Sequence, residues 1–383
     1  MRYRVTCLTP TLVGDGQKLA PIDYMVWKDY VNVLDQKRIF RMLAKGPRLE
    51  GYLTQLKKAE QLDFGSWGGF AQNYAGRRIP FEHPSLTQYW EKARAEYLFI
   101  PTFSTGPNGP YLPGTAIKGA LRTGVVHGRL SERALNDLAT LSNSEGRLPR
   151  NPANSVEESA VGRGGADSMR LISAFDSDTV PESTFKVYLL RVATIESRGP
   201  GKFELSWKQA PRGSVKRAED STPTFAEMTV PGTVFEGHWS ENSFLAQPEI
   251  AKALRKRAPL DVTAIFGLLN SYTEQGLQLQ KQYADWTGLA VLRATVEQLQ
   301  TRLNEVRETE RGCIFPLGWG AGFLSKAAVL DTQNETYRQI LRQVGFFSRA
   351  IQSGLPFPKT RRIVFLENQP AALPGYVHFE IQK

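Results

Sequence analysis

The order of hydrophobic periods constrains this chain most. Segments with apolar residues at alternate positions and segments with helical spacing are intermixed through both halves, and no clear βαβ unit surrounds the late glycine-rich stretch Gly318–Phe323. Tyr3, Val5 and Cys7 open the chain as a strand, and Tyr24–Asp35 reads as a hairpin with Lys28-Asp29 at its turn. Further strands are expected over Met169–Asp178, Thr184–Glu196, Met228–Ser240, Pro356–Phe365 and Leu373–Ile381. Helical spacing covers Gln36–Leu62 (interrupted at Gly46-Pro47), Leu86–Tyr97, Thr115–Arg129, Ser131–Leu141 and Thr336–Ile351, with an aromatic-bearing loop over Phe64–Ser85. Strands and helices mixed in this way, with hairpins, predict an α+β fold with antiparallel sheets and not a doubly wound parallel one.

The longest helical block runs from Leu260 to Arg311, where Leu289, Leu292, Val296, Leu299, Leu303 and Val306 recur at steps of three and four. Such a stripe fits a helix packed on a sheet; a coiled coil would need more heptads. With 383 residues the chain has room for two domains, read as 1–180 and 181–383. Residues 142–168 are polar, rich in glycine and proline and nearly devoid of large apolar side chains, so they are read as a disordered loop.

Composition narrows the function. The formal charge is +10, with a pI of about 9.5, which favours polyanionic partners. Cys7 and Cys313 are the two cysteines, too few for a disulfide framework or a zinc site, so a reduced cytoplasm is expected. No stretch has the apolar length of a membrane span, and the start lacks a secretory apolar run. His83, His127, His238 and His378 have no metal-ligand spacing, and the aspartates of "FDSDT" (Phe175–Thr179) lack a third ligand; no cofactor or metal is expected.

Three stretches carry the chemistry. "PYLPGTAIKGALRTG" (Pro110–Gly124) bends at Pro113-Gly114, with Thr115 as the expected N-cap of a helix. Lys118 and Arg122 are four apart on one helix face, close to an N-terminus whose dipole favours anions, so the pair needs an anion nearby. The small Gly119 and Ala120 would let a partner approach that face. The lysine of "GTAIKG" does not fit the phosphate-loop pattern, and "GWGAGF" (Gly318–Phe323) does not fit the dinucleotide-binding spacing. Alternate glycines can nevertheless offer backbone N–H groups to phosphates, flanked here by Trp319, Phe323 and Lys326. Between Ser197 and Arg217, six cations (Arg198, Lys202, Lys208, Arg212, Lys216, Arg217) face one acid, Glu204, with Phe203 and Trp207 interleaved. That stretch reads as a hairpin contacting a phosphodiester backbone.

Together these stretches resemble the RAMP proteins, the repeat-associated subunits of CRISPR effector complexes. "PYLPGTAIKGALRTG" is similar to their proline-glycine-hydroxyl-x-x-lysine-glycine-x-x-arginine motif, and "FPLGWGAGFLSK" to their late glycine-rich loop. "CLTPTLVGDGQKLAPIDYMVWKDYVNVLD" resembles their first strand, glycine turn (Gly14 and Gly16) and hairpin, and "LISAFDSDTV" and "AEMTVPGTVFEGHW" follow in order. Order, spacing and length resemble most the type III-A (Csm complex) subunit at the crRNA 3′ end.

The resemblance implies two ferredoxin-like, RRM-related domains and RNA contacts at Gly14, Gly16, Lys118, Gly119, Arg122, Gly318, Trp319, Gly320, Gly322, Phe323 and Lys326. Arg198, Lys202, Trp207, Lys208 and Arg212 of the basic insert complete the expected interface. It also implies crRNA, neighbouring RAMP backbone subunits and 3′-trimming host nucleases as partners. No histidine stands where a processing endonuclease of the superfamily would need one, so an RNA-binding subunit without a cleavage site is expected. The competing readings are a precursor-trimming ribonuclease using His83 or His127, and a repeated filament subunit using an aspartate.

Overall fold

Alternation at Tyr3, Val5 and Cys7 buries one face of the strand Arg2–Cys7, while Arg4 on the other face pairs with Glu236 at 2.9 Å. That strand is central to an antiparallel sheet ordered Gly312–Pro316, Tyr376–Gln382, Arg2–Cys7, Val234–Glu241, Ile172–Ser177. The chain is seen in a computed structural model that describes residues 1–44, 46–58, 73–199, 201–254 and 260–382. The expected aromatic loop of 64–85 lies partly outside the described residues, as does the end of the 36–62 helical segment.

A second antiparallel sheet is organised by the long strand Phe185–Gly199. One edge of it pairs first with Thr224–Thr229 and then with Lys202–Lys208; the other edge pairs with Thr360–Leu366. A three-stranded sheet holds Tyr24–Trp27, Tyr30–Leu34 and Ala75–Pro80, with the expected turn at Lys28-Asp29, where Lys28 has φ 51°. Mixed helices and antiparallel sheets are the α+β architecture expected. The first sheet, however, draws strands from both sides of residue 180, so chain order does not separate the molecule into two sheet-forming halves.

The run Met228–Ser240, read as one strand, is two. Pro231-Gly232 turns the chain, Gly232 at φ 89°, and carries it from the second sheet into the first. The apolar stripe of Ala290–Thr309 packs as expected: Leu292, Val296, Leu299, Leu303 and Val306 lie in one core with Leu189, Ile195, Ile363 and Phe365 of the second sheet. A second core joins the first sheet to the helices Gly114–Gly128 and Val262–Thr287. These helices meet where a methyl group on Gly124 would come within 2.6 Å of Leu269, so the contact depends on a residue without a Cβ.

The segment 142–168 is ordered where disorder was expected. It contains the end of the helix Glu132–Glu145, the helix Ala153–Val161, and buried Val156, Ala160 and Val161. Its ordering comes from long-range contacts that a local reading of composition does not register.

Candidate nucleic-acid interface

Three of the sequence motifs meet in space. Leu12 in the first glycine turn accepts a hydrogen bond from the Trp319 amide at 2.7 Å, and Val13 accepts one from the Ser104 amide at 2.9 Å. Ser104 in turn accepts from the Tyr111 amide at 3.1 Å, at the start of the Pro110–Gly124 motif. Gly318 makes this junction possible: its φ is 85°, and a side chain there would overlap the Leu12 carbonyl oxygen. The glycine-rich loop is also tied to the last turn of the chain, with the Leu317 amide bonded to the Gly375 carbonyl at 2.7 Å. Gly320 and Gly322 likewise have positive φ, and no atom lies within 4 Å of a Cβ placed on Gly16 or Gly322. Backbone at these two positions is open to a ligand.

The helix following Pro113 begins differently from expectation. Pro113 is the N-cap, without a side-chain cap bond, and Gly114 is the first helical residue. The anion at this helix start is Asp176, which accepts from the Gly114 amide at 2.9 Å. Asp176 belongs to the "FDSDT" stretch, whose Ser177 exchanges hydrogen bonds with Leu112 at 2.8 and 3.0 Å. Asp176 thus serves the helix start, while Asp178 pairs with Arg2; among the described residues no group of three or more His, Cys, Asp and Glu is placed to hold a metal.

Lys118 and Arg122 already have partners inside the chain. Lys118 Nζ donates to the Ile172 carbonyl at 2.8 Å; burial lowers its pKa, Arg122 and Arg170 add repulsion, and Asp167 opposes the fall. Arg122 is clamped between Glu157 at 3.0 Å and Asp167 at 2.8 Å. Burial works against its charge, yet the two carboxylates more than offset that and raise its pKa. Both carboxylates come from the 142–168 segment. The anion demanded by the basic pair is therefore supplied by the protein, and an RNA phosphate at Arg122 would have to displace two carboxylates. Gly119 faces open space on the same helix.

The basic insert is a hairpin, Lys202–Lys208 pairing with Phe185–Gly199, as expected. Its cations divide into two groups. Arg198 and Lys216 both donate to Glu204, and Lys216 also approaches Glu196 at 3.6 Å, while Arg217 pairs with Glu219 at 3.4 Å. The acids Glu196 and Glu219 lie just outside the window in which six cations were counted against one acid. Lys202, Lys208 and Arg212 have no carboxylate within 4 Å among the described residues. Trp207 is not available for base stacking: it pairs across from Ala193, is 3% exposed and packs 5.5 Å from the Phe365 ring. Phe203 packs edge-on against Trp286, 5.4 Å away.

Arg362 lies beside the candidate interface, stacked on Trp319, without having been singled out in the sequence. Its guanidinium lies 4.2 Å from the centre of the Trp319 ring, its buried Nε has no hydrogen-bond partner, and burial lowers its pKa. No carboxylate lies within 4 Å of it among the described residues. Arg362 pairs across from Val192 and Thr360 from Thr194, whose Oγ1 is also buried without a partner. Lys359, its pKa lowered by burial and by nearby Lys208, lies at the same strand start. A band of cationic and polar groups thus runs over the second sheet from the glycine-rich loop towards the basic hairpin. The hairpin tip at Gly199 lies seven residues beyond Val192, about 23 Å at about 3.3 Å per residue. Lys326 is exposed beside the loop, and Phe323 packs 5.1 Å from both Phe347 and Phe357, so its ring serves the local core.

The histidines do not converge. His83 Nδ1 contacts Ser85 Oγ at 2.7 Å, whereas His127 Nδ1 contacts the Ala328 carbonyl at 2.7 Å and its ring packs 5.2 Å from Tyr272. Among the described residues no helix is long and apolar enough to cross a membrane.

Comparison with known proteins agrees with the fold. A chain of a Csm–crRNA–target RNA ternary complex from a type III-A CRISPR-Cas system superposes with a TM-score of 0.70 at 19% identity, covering 99% of this chain and 100% of that one. The crystal structure of Csm5 from T. onnurineus superposes with a TM-score of 0.60 at 16% identity, covering 98% and 99%. No curated protein sequence matches significantly. The RAMP superfamily model matches residues 4–325, which takes in the first glycine turn, the Pro110–Gly124 helix and the glycine-rich loop, and the chain is therefore a member of the RAMP superfamily.

Proposed function

We propose that this chain is an RNA-binding subunit of a type III-A CRISPR (Csm) effector complex, which holds and caps the 3′ region of the crRNA without cleaving it. The observation that carries this reading is the junction at Leu12 and Trp319, where the glycine-rich loop rests on the first glycine turn beside the carboxylate-free Arg362. Open backbone, an aromatic face and an uncompensated guanidinium are the parts that hold a phosphodiester strand irrespective of its sequence. Family membership and the shared fold of a chain from a crRNA-containing complex support the same partner. In this role the protein acts in the cytoplasm, with neighbouring RAMP subunits beside it and trimming nucleases acting on the RNA it leaves uncovered.

The test is binding of crRNA to the purified chain over a series of salt concentrations. Affinity should fall linearly on a log–log plot, by about 0.7 in slope for each phosphate contact to a single strand. Unrelated spacer sequences should give the same line. A flat salt response, or RNA cleavage that disappears on substitution of His83 or His127, would replace this reading with another.

A further inference from the structure

The second sheet carries a charge on its apolar face. Val187, Leu189, Ala193 and Ile195 of the long strand point into the core shared with the helix Ala290–Thr309, and Arg191 occupies the position between them. It is 2% exposed. Its Nη1 donates to the carbonyl and hydroxyl oxygens of Ser221, and its guanidinium lies 5.2 Å from the Tyr89 ring and 5.7 Å from the Phe365 ring. No carboxylate lies within 4 Å, and Nε and Nη2 have no acceptor among the described residues. A buried cation is costly unless it is paired.

Arg191 is one wall of an open cavity of about 400 Å³ between the Leu86–Tyr97 region and the turn after the basic hairpin. Tyr89 and Tyr97 supply aromatic walls, and the exposed Lys92 and Arg94 stand at the mouth. Glu219 and Asp220 also border it; Arg94 pairs with Glu96 at 3.7 Å and Glu219 with Arg217 at 3.4 Å, which leaves Arg191 and Lys92 against Asp220. That balance suits a group with a single negative charge and disfavours a nucleoside polyphosphate. A volume of this size accommodates a small ligand, and tyrosine faces stack on bases of any identity.

We propose that this cavity holds one nucleotide of an RNA strand, its phosphodiester against Arg191 and its base against the tyrosine walls. The inference rests on the RNA-binding reading above and adds a second contact region, on the sheet face opposite Arg362.

Photo-crosslinking of the full chain to a 4-thiouridine-substituted RNA, with peptide mapping, tests it. Crosslinks are expected in the segments Tyr89–Tyr97 and Ala218–Pro223 as well as in the glycine-rich loop. Arg191→Met exchanges the buried charge for an apolar side chain of similar length, a change that buried sites often tolerate. It should lower the cavity crosslinks about tenfold, the loss of one charged contact, while loop crosslinks persist. Should that variant fail to fold, Lys92→Ala at the mouth with Tyr97→Ala in the half-buried wall carries the same decision. Cavity crosslinks undiminished in these variants would overturn the proposal. Crosslinks confined to the glycine-rich loop would overturn it and leave the RNA-binding reading standing; crosslinks nowhere would overturn both.

Discussion

The guanidinium of Arg362 stacks on Trp319 at 4.2 Å, joining a strand of the second sheet to the glycine-rich loop. A planar cation on an aromatic face keeps its outward N–H groups directed at a ligand, which an ammonium on a flexible stem does not. Arg362→Ala should therefore weaken crRNA binding and reduce the log–log salt slope by about 0.7, one phosphate contact on a single strand. Arg362→Lys should restore the slope but not the affinity. Fluorescence anisotropy over a potassium chloride series checks both, and an unchanged slope in Arg362→Ala removes this residue from the interface.

Gly318 and Gly322 make a controlled pair. Both have positive φ, 85° and 87°, but a side chain at Gly318 would overlap the Leu12 carbonyl, whereas none would be met at Gly322. Gly322→Ala should cost about 1 kcal/mol of backbone strain. Gly318→Ala adds a steric clash and should cost about 3 kcal/mol or more, with the loop detached from the first glycine turn. Thermal unfolding of the two variants ranks them, and equal melting temperatures would contradict the close approach.

Features set by short-range periodicity were legible in the sequence. The stripe Leu292–Val306 and the Lys28-Asp29 hairpin were legible because spacing and turn chemistry decide them locally. Trp207 could have been read correctly too: Leu205 and Trp207 alternate with Ser206 and Lys208, which puts the indole on the inward face. The partners of Arg122 could not, since Glu157 and Asp167 are 35 and 45 residues away in a segment whose composition resembles a linker. Arg362 offered a faint signal, because two adjacent arginines on a strand must point to opposite faces. One of them, Arg361, is satisfied by Gln280, Pro358 and Thr360. The other, Arg362, stacks on Trp319, and its buried Nε has no hydrogen-bond partner.

His378 makes stability depend on pH. It is 8% exposed on the strand Tyr376–Gln382; burial lowers its pKa below the usual 6.5, Arg302 adds to the fall, and Glu380 at 4.0 Å opposes it. The folded state thus resists a proton that the unfolded state accepts. This contribution is intact above pH 6.5 and is lost as pH falls from there through the lower folded value. Denaturation midpoints of the wild type should fall on acidification from neutrality, and His378→Gln, neutral throughout, should flatten that decline. A parallel decline in the variant would assign the effect to other groups.

Arg122 is held by Glu157 and Asp167, and whether it also serves RNA can be decided by releasing it. In Glu157→Gln with Asp167→Asn the guanidinium keeps hydrogen-bonding partners but loses both opposing charges. If the carboxylates occupy a phosphate position, the double variant should bind crRNA more tightly and with a steeper salt dependence, because an additional cation is free to release counterions. If they serve only to pin the segment 142–168, affinity should stay constant. The cost would then appear as about 1–2 kcal/mol of stability and faster proteolysis within that segment. Arg122→Ala separates the cases from the other side. It should expose the segment to protease under either reading, and should weaken RNA binding only under the first.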